Sequence, residues 1–577
     1  MMTDEELIEK LEDLTSNAQH HQLETLRSIL LHNGTSRYLQ SFKGPLHLDP
    51  STFTRVVPLS SYEDYVHHIN HMADGIGNLD PLLSVDPLLC FFYSSGTSSS
   101  SMKPKLIPYF DSSLSKAASF IGHRGSVAVR QRLFPPRLEV NKILLFLYAD
   151  NITTTKCGLK VMAASTYPLQ SGKATPQQLA TLSSPLEVIC GSHVEHQMYC
   201  HLLCGLSNLD LIDGITTPYA IGLIKAFDLL ESKCEQLCDD LHHGFPCSEI
   251  SEVAMREAVI NTLGGPQPEL ANRIRLICES NNWGGIVYRL WPNIRYIRCV
   301  TTGSMKQYYQ KLKYYAGEVP ILGGDYFASE CCVGINLDIM QPPETTRFVI
   351  LPTAAYFEFL PFNMNEDNNV SKETVDLSSV EVGKMYEVVV TTYRGFYRYR
   401  LGDIVRVVGF HNSSPQVEYV MRAPKTPDEI VTEKDLISAV EDFQLALKGA
   451  MRIEIVEFAS FLDQESRPKQ LKLFVEVQED SSFLEDKLEE SVKIFTSCIS
   501  SLESGLGAMY KVQRDKGELG NLLICIMIPG AFDQLSELAI KNGTSASQYK
   551  PPKIIRNHEV VKLLENLAFV TLSFDGK

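Results

Sequence analysis

Three short segments hold residue types that can handle phosphate, ribose and a hard cation. The apolar run 88–93 gives way to Ser94-Ser95-Gly96-Thr97-Ser98-Ser99-Ser100-Ser101, with Lys103 and Lys105 close behind. A strand that breaks into such a loop can turn backbone N–H groups and hydroxyls towards phosphate oxygens, while a lysine adds charge. The loop has neither the Gly-Lys-Ser/Thr ending of a P-loop nor the flanking glycines of a serine-hydrolase elbow. Standing alone, a Ser-rich stretch is more often a surface loop. Asp325-Tyr326-Phe327-Ala328-Ser329-Glu330 follows Gly323 and Gly324, and the segment 395–403 carries Arg398 and Arg400 among aromatics before ending at Asp403. An ionised Asp403 can accept both hydroxyls of a ribose, Glu330 can hold Mg2+ on a triphosphate, and Tyr326 can stack on a base. The plain alternatives are a strand end for the first segment and an outward Arg/Tyr ladder turning at Gly402 for the second.

The elements that must position these residues read as α/β. Thr3 and Glu6 form a capping box for a helix running to about Leu31, with Leu7, Leu11, Leu14, Leu23, Leu26 and Leu30 on its apolar face. Strands are expected over 88–93, 143–148, 187–190, 296–300 and 348–351, separated by amphipathic stretches, and 363–372 reads as a polar loop. Strands over 386–391 and 404–410 are close enough to pair antiparallel. Residues 421–434, with two prolines and six charges, read as a hinge before a helix near Thr432. Beyond it come strands 452–458, 471–477 and 522–528 and helices 483–500, 531–541 and 557–568. The expectation is a large N-terminal domain over 1–420 with mixed sheets, the hinge, and a small mobile α/β domain over 435–577.

Composition removes other classes. The 577 residues carry 53 basic and 69 acidic side chains, a formal charge of −16, with no Lys/Arg run, so nucleic-acid and membrane surfaces are excluded as expected partners. The start MMTDEELIEK lacks a secretory pattern, which points to the cytoplasm. Fourteen cysteines in so long a chain are expected to be reduced and mostly buried. Cys234, Cys238 and His242 share one helix face, but that face continues Phe227, Leu230 and Leu237 and the helix stops at Gly244, so packing is preferred to zinc.

The order of the three segments, followed by a hinge and a smaller domain, resembles the acyl-adenylate-forming superfamily that includes acyl-CoA synthetases and luciferases. Within it the chain is similar to the plant acyl acid amido synthetases, the auxin-responsive family that joins hormone carboxylic acids to amino acids. The phrases that carry this likeness are Tyr199-Cys-His-Leu-Leu-Cys-Gly205, Gly303-Ser304-Met305, Tyr356-Phe-Glu-Phe-Leu-Pro361, Tyr397 to Asp403 and Gln548-Tyr549-Lys550, spread over about residues 5 to 570. The resemblance implies ATP and Mg2+ as cofactors and an acyl acid and an amino acid as substrates, in a monomer. It implies Ser94, Ser95, Thr97, Tyr167, Phe327, Ala328, Ser329, Glu330 and Asp403 at the nucleotide, with Glu330 towards the metal. Lys550 would approach from the mobile domain, and Lys105, Arg124, Arg398 and Arg400 are further cations available to a reaction among anions. Arg124, Thr216, Pro218, Gly324 and Cys332 match acyl-acid positions. Ser95, Met162, Gly530, Ala531 and Phe532 match amino-acid positions.

There are departures from the family pattern. Ser100 stands where relatives have glycine, the loop before Lys105 is two residues longer, Phe327 replaces a small residue, Ser547 replaces a glycine, and the hinge is shorter. The phrase Met421-Arg-Ala-Pro-Lys425 resembles the jasmonate-conjugating branch, which favours jasmonate and a product such as jasmonoyl-isoleucine over conjugation of indole-3-acetate. Gly324 and the Cys331-Cys332 pair would leave room for a cyclopentanone. The alternatives are an auxin-amido synthetase, an acyl-CoA synthetase, or a non-catalytic nucleotide- or hormone-binding regulator.

Overall fold

The computed structural model describes residues 2–42, 49–75, 81–94, 104–279, 282–363, 373–424, 429–450, 453–478 and 488–574. Ser95, Thr97, Ser100 and Lys103, most of the polar insert and the middle of the hinge lie outside the described residues. Within them the strands form four sheets. A parallel sheet of Lys142–Leu145, Ile212–Tyr219, Tyr296–Val300 and Ile321–Gly323 is covered by helices Val194–Ser207 and Ala220–His243. The packing is tight: the Trp291 indole N–H donates to the Gly205 carbonyl at 3.0 Å, and a Cβ on Gly205 would meet Leu144 at 2.8 Å. Cys234 and Cys238 point into this core beside Leu230 and Leu237, and the helix ends in the left-handed turn of Gly244.

A second core lies between the N-terminal helices, the sheet containing Leu88–Tyr93, Leu106–Phe110, Lys160–Ala163 and Thr153–Thr154, and an eight-stranded sheet. In the last, Tyr399–His411 runs antiparallel between Met385–Thr391 and Ser414–Arg422. Past the hinge, a five-stranded sheet carries helices Glu433–Ala450 and Leu488–Gly505 on one face and Ala531–Lys541 and His558–Asn566 on the other. Among the described residues no helix is long and apolar enough to cross a membrane.

Four expectations change. The first helix has the capping box, with the Thr3 N–H bonded to Glu6 Oε2 at 2.7 Å, but it divides into Asp4–Ser16 and Ala18–Asn33. The 412–414 turn inserts at the break, where Ser413 Oγ accepts from the Ala18 N–H at 3.1 Å and the Ser413 N–H bonds the Thr15 carbonyl. Residues 187–190 are not a strand; Leu186–Ile189 is one helical turn whose Val188 and Ile189 carbonyls accept both bonds of the Gln197 amide, at 3.0 and 2.7 Å. The strand expected over 143–148 stops at Leu145, because the Tyr148 N–H is taken by Ser547 Oγ from the C-terminal lobe at 2.8 Å. A strand absent from the sequence reading, Ala568–Phe574, closes the C-terminal sheet against Leu522–Met527.

Arg398 holds this frame together. It lies at φ +48° and buries its guanidinium against Glu358, with Nε 3.1 Å from both carboxylate oxygens and Nη2 2.9 Å from one, while Nη1 donates to the Thr54 and Val57 carbonyls at 2.7 and 2.8 Å. The two side chains are 8% and 3% exposed. Breaking a pair that deep leaves an uncompensated charge and costs about 3–5 kcal/mol. Arg398→Met should therefore lower the unfolding free energy by an amount in that range, read from urea unfolding by tryptophan fluorescence, since both Trp283 and Trp291 lie in the large lobe. A loss below about 1 kcal/mol would show that the pair contributes only surface-like energy.

Candidate active site

One cleft of about 1350 Å³ is lined by residues from the three segments singled out above and from the C-terminal lobe, among them Ser94, Lys105, Tyr167, Glu330, Asp403 and Lys550. Ser94 ends the strand Leu88–Tyr93. Its N–H bonds the Lys105 carbonyl at 3.0 Å and its hydroxyl accepts the Lys105 N–H at 3.2 Å, so the two ends of the Ser-rich loop are zipped together. The Lys105 ammonium sits over the Tyr62 ring at 4.8 Å; burial lowers its pKa, and the nearby Glu330 carboxylate opposes that.

The short strand Tyr326–Phe327 sends neighbouring side chains to opposite sides, as the two-residue period of a strand requires. Tyr326 donates to Asp403 Oδ2 at 2.6 Å, and Asp403 Oδ1 is 2.7 Å from Arg422 Nη1. Antiparallel register places Asp403 directly opposite Arg422, the last residue of its strand before the hinge. The Tyr326 phenol is therefore tied to a carboxylate, and burial followed by that negative charge pushes its pKa well up. Phe327 faces the other way, its ring 4.5 Å from that of His123. Glu330 is buried, and loss of water raises its pKa against the pull of Lys105 and Arg422. The carbonyl of Ser329 is pinned by Arg394 Nη1 at 2.9 Å, and Arg394 Nε reaches Ser115 Oγ at 3.2 Å with its guanidinium 4.9 Å over the Tyr109 ring.

The helix Ser113–Leu133 forms a cleft wall through Lys116, Ser119, Phe120, His123 and Arg124. Arg124 lies inside this helix, and among the described residues its ionic partner is Asp4 at 3.8 Å. Thr216 and Pro218 on Ile212–Tyr219, Gly324 and Cys332 line the same cleft, as do Phe327, Ala328 and Ser329. Gly122 is backed directly onto Cys332, whose sulfur would lie 2.7 Å from any Cβ there. Beneath them Arg298 pairs with Asp325, which also accepts from Ser126 Oγ at 2.5 Å.

Some expected residues are elsewhere. Arg398 is consumed by Glu358 and does not line the cleft; Arg400 does, with its guanidinium paired to Glu387 at 2.6 Å. Met162 is buried in a strand beside Phe92, and Gly530, Ala531 and Phe532 begin a helix whose Gly530 and Phe532 N–H groups donate to Glu476 at 2.8 and 2.9 Å. None of these four is among the cleft-lining residues. Ser95 and Thr97 lie outside the described residues. The sequence reading missed Arg394, Arg422 and His123 at the cleft. The usable signals were a charged residue just before Gly395 and the Arg of Met421-Arg-Ala-Pro next to the hinge.

The C-terminal lobe enters through residues 544–553. Lys550 Nζ rests 4.2 Å above the Tyr219 ring. Ser547 Oγ bonds both the N–H and the carbonyl of Tyr148, at 2.8 and 2.9 Å; Ser545 Oγ and the Ala546 N–H bond Asp150 at 2.7 and 2.8 Å; and Gln548 Nε2 reaches Ser165 Oγ at 3.0 Å. Deeper, Glu457 takes Lys553 and Tyr308 on its two oxygens, with Gln307 Nε2 at 3.1 Å. Tyr308 and Gln307 belong to the turn beginning at Gly303, so this buried cluster joins the lobes.

Comparison with known proteins gives a matching result along the chain. Family models described as the GH3 family N-terminal, central and C-terminal domains match residues 7–321, 348–422 and 434–559. The chain is 45% identical to a probable indole-3-acetic acid-amido synthetase, GH3.6 of Oryza sativa subsp. japonica, over 68% of this chain and 82% of that protein. It is 34% identical to a jasmonoyl-L-amino acid synthetase, GH3.5 of the same plant, over 97% of this chain and 96% of that one. A solved structure of the GH3.15 acyl acid amido synthetase superposes with a TM-score of 0.87 at 30% identity, covering 99% of this chain and 98% of that chain. The fold is shared, at a TM-score of 0.50 and 11% identity, with a 2-hydroxyisobutyryl-CoA ligase, and the chain belongs to the GH3 family of plant acyl acid amido synthetases, acid–amino acid ligases.

Proposed function

We propose that this chain adenylates a plant hormone carboxylic acid and passes the acyl group to an amino acid. In the first step a carboxylate oxygen attacks the α-phosphorus of ATP and pyrophosphate leaves. In the second the amine nitrogen attacks the acyl carbon, AMP leaves, and the amine proton is lost to solvent. The observation that carries this reading is the meeting of Ser94, Lys105, residues 324–330, residues 399–403 and Lys550 in one cleft.

Ser94 and Lys105, with Ser95 and Thr97, are proposed at the phosphates; Tyr167, Ala328 and Ser329 around the nucleotide; and Asp403 at the ribose. Lys550 supplies a point charge as the α-phosphorus is attacked. It rests above the Tyr219 ring, a contact that does not itself cancel its charge. Arg124, Thr216, Pro218, Gly324 and Cys332 are proposed around the acid, Arg124 through its carboxylate. Glu330 is proposed as the protein ligand of Mg2+. Among the described residues no group of three or more acidic, His or Cys side chains gathers to cage a metal. A single buried carboxylate fits an ion held mostly by phosphate oxygens and water. When bound, the ion would offset charge on the phosphates.

Jasmonate is the proposed acid, supported by the hinge wording and by the full-length similarity to a jasmonoyl-amino acid synthetase. The second reading, indole-3-acetate, is favoured by the 45% identity to a probable auxin-conjugating relative over a shorter span. The division at 421–434 is proposed as the hinge on which Lys550 swings away for the second step. A cytoplasmic monomer is proposed.

The deciding experiment crosses jasmonate, indole-3-acetate and benzoates with the twenty amino acids, scoring acid-dependent exchange of pyrophosphate into ATP and amide by mass spectrometry. Exchange together with amide is expected; thioester formation with coenzyme A and no amide would replace the ligase reading. Asp403→Asn should weaken ATP by about 1.5–3 kcal/mol through loss of charge-assisted hydrogen bonds, and an unchanged ATP KM would remove Asp403 from the ribose. Glu330→Gln should abolish the normal Mg2+ response yet melt higher than the parent at pH 7.5. Burial raises the Glu330 pKa, so its ionisation destabilises the fold as pH rises, and the melting difference should fade as pH drops to about 4.5. Equal melting at pH 7.5 would mean that the Glu330 carboxylate carries no desolvation cost.

A further inference from the structure

The segment just ahead of Lys550 is fastened to the large lobe residue by residue. Ser545 Oγ and the Ala546 N–H donate to the two oxygens of Asp150 at 2.7 and 2.8 Å. Ser547 Oγ accepts the Tyr148 N–H and donates to the Tyr148 carbonyl, at 2.8 and 2.9 Å. Gln548 Nε2 donates to Ser165 Oγ at 3.0 Å, and its amide oxygen takes the Tyr219 hydroxyl at 3.4 Å. Asn151, at φ +53° in the left-handed region that asparagine tolerates, adds bonds from Nδ2 to the Ile540 and Thr544 carbonyls at 3.0 and 2.8 Å. Two residues past Gln548, Lys550 lies above the ring of the same Tyr219. A loop tied at four consecutive residues has few conformations left, so the place of Lys550 follows from the bonds of residues 545–548.

The two buried carboxylates at this lobe contact differ in how their charge is met. Glu457 has Lys553 from its own lobe, so that pair travels as one body when the lobes part. Asp150 is 7% exposed, and among the described residues no Lys or Arg pairs with it. Burial raises its pKa, and the bonds from the Ala546 N–H and the Ser545 hydroxyl, both in the small lobe, pull it back. Hydrogen bonds to an ionised acceptor are roughly twice as strong as neutral ones, which makes Asp150 the firmest of these fastenings. Neither Asp150 nor Tyr148 is among the cleft-lining residues, so their effect on the reaction passes through the segment they hold.

Resting on the reading of Lys550 as the cation of the adenylation step, we propose that Asp150, with Ser547, is a positioning residue for that step alone. By docking residues 545–548 it fixes where Lys550 Nζ stands as the α-phosphorus is attacked. It takes no part in amide formation, for which the segment leaves. A charge placed by a rigid segment costs no reorganisation at the moment of reaction, whereas the same lysine on a loosened segment spends part of its time out of place.

The test measures the two half-reactions separately in the full chain. Pyrophosphate–ATP exchange with jasmonate or indole-3-acetate reads the first; amide formation from the corresponding synthetic acyl-adenylate and the twenty amino acids reads the second. Asp150→Ala should lower the exchange kcat at least tenfold with the KM for ATP within twofold, while amide formation from the adenylate stays within twofold and shows that the variant is folded. Ser547→Ala should show the same split with a smaller loss, and it decides the matter if Asp150→Ala does not fold. With Lys550→Ala already in place, adding Asp150→Ala should slow exchange by no more than a further twofold, because the group being positioned is gone. Unchanged exchange in Asp150→Ala, equal losses in both half-reactions, or a further tenfold loss in the double variant overturns this proposal and leaves the ligase reading standing. Wild-type exchange in Lys550→Ala removes the role of Lys550 and this proposal with it. No exchange in the wild type with either acid overturns the ligase reading itself.

Discussion

The cleft must gather phosphates and carboxylates in a protein whose formal charge is −16, so the state of its cations constrains everything else. Arg298, Arg400, Arg422 and Arg556 are each paired with a carboxylate of the protein itself. Lys105, Lys550, Lys173 and Arg394 are held differently, over the rings of Tyr62, Tyr219, Tyr167 and Tyr109 at 4.2 to 4.9 Å. A ring face holds a cation in place by its quadrupole without cancelling the charge. Among the described residues the positive potential left for an anionic ligand is therefore concentrated on these four ring-held side chains and on Arg124, whose ionic partner Asp4 is 3.8 Å away.

The lobes meet on the same principle of saturated polar contact. Ser547 satisfies both main-chain groups of Tyr148, and Asp150 takes a hydroxyl and an N–H from the opposing loop. Glu457 is matched by Lys553 and Tyr308 in a setting where an isolated ion would be very costly. Lys550 reaches the cleft because these neighbours fix the segment on either side of it. Moving the lobes apart would part Glu457 and Lys553 from Tyr308 and take Ser545 and Ala546 from Asp150.

Local signals made much of this legible. The Thr3 cap, the strand into Ser94, the antiparallel pair around 385–411 and the helix Ala531–Lys541 all follow from periodicity and end chemistry. The three segments bearing Ser94, Glu330 and Asp403 were chosen by residue type, and they share a cleft. What was not legible depends on contacts far apart in the chain. The break at Asn17 is made by a turn about 400 residues away, and the strand at Leu145 is ended by Ser547. Arg398 looked available because nothing nearby in sequence reveals Glu358 as its partner. Residues 568–574 carry no turn signal ahead of them, so a final strand directly after a helix went unread.

The strand Tyr326–Phe327 is two residues long, and its side chains part to opposite faces. A substitution at one position therefore leaves the contacts of its neighbour intact. A change of size at Phe327 is thus met by the helix through His123, whereas one at Tyr326 is met by Asp403 and, behind it, Arg422.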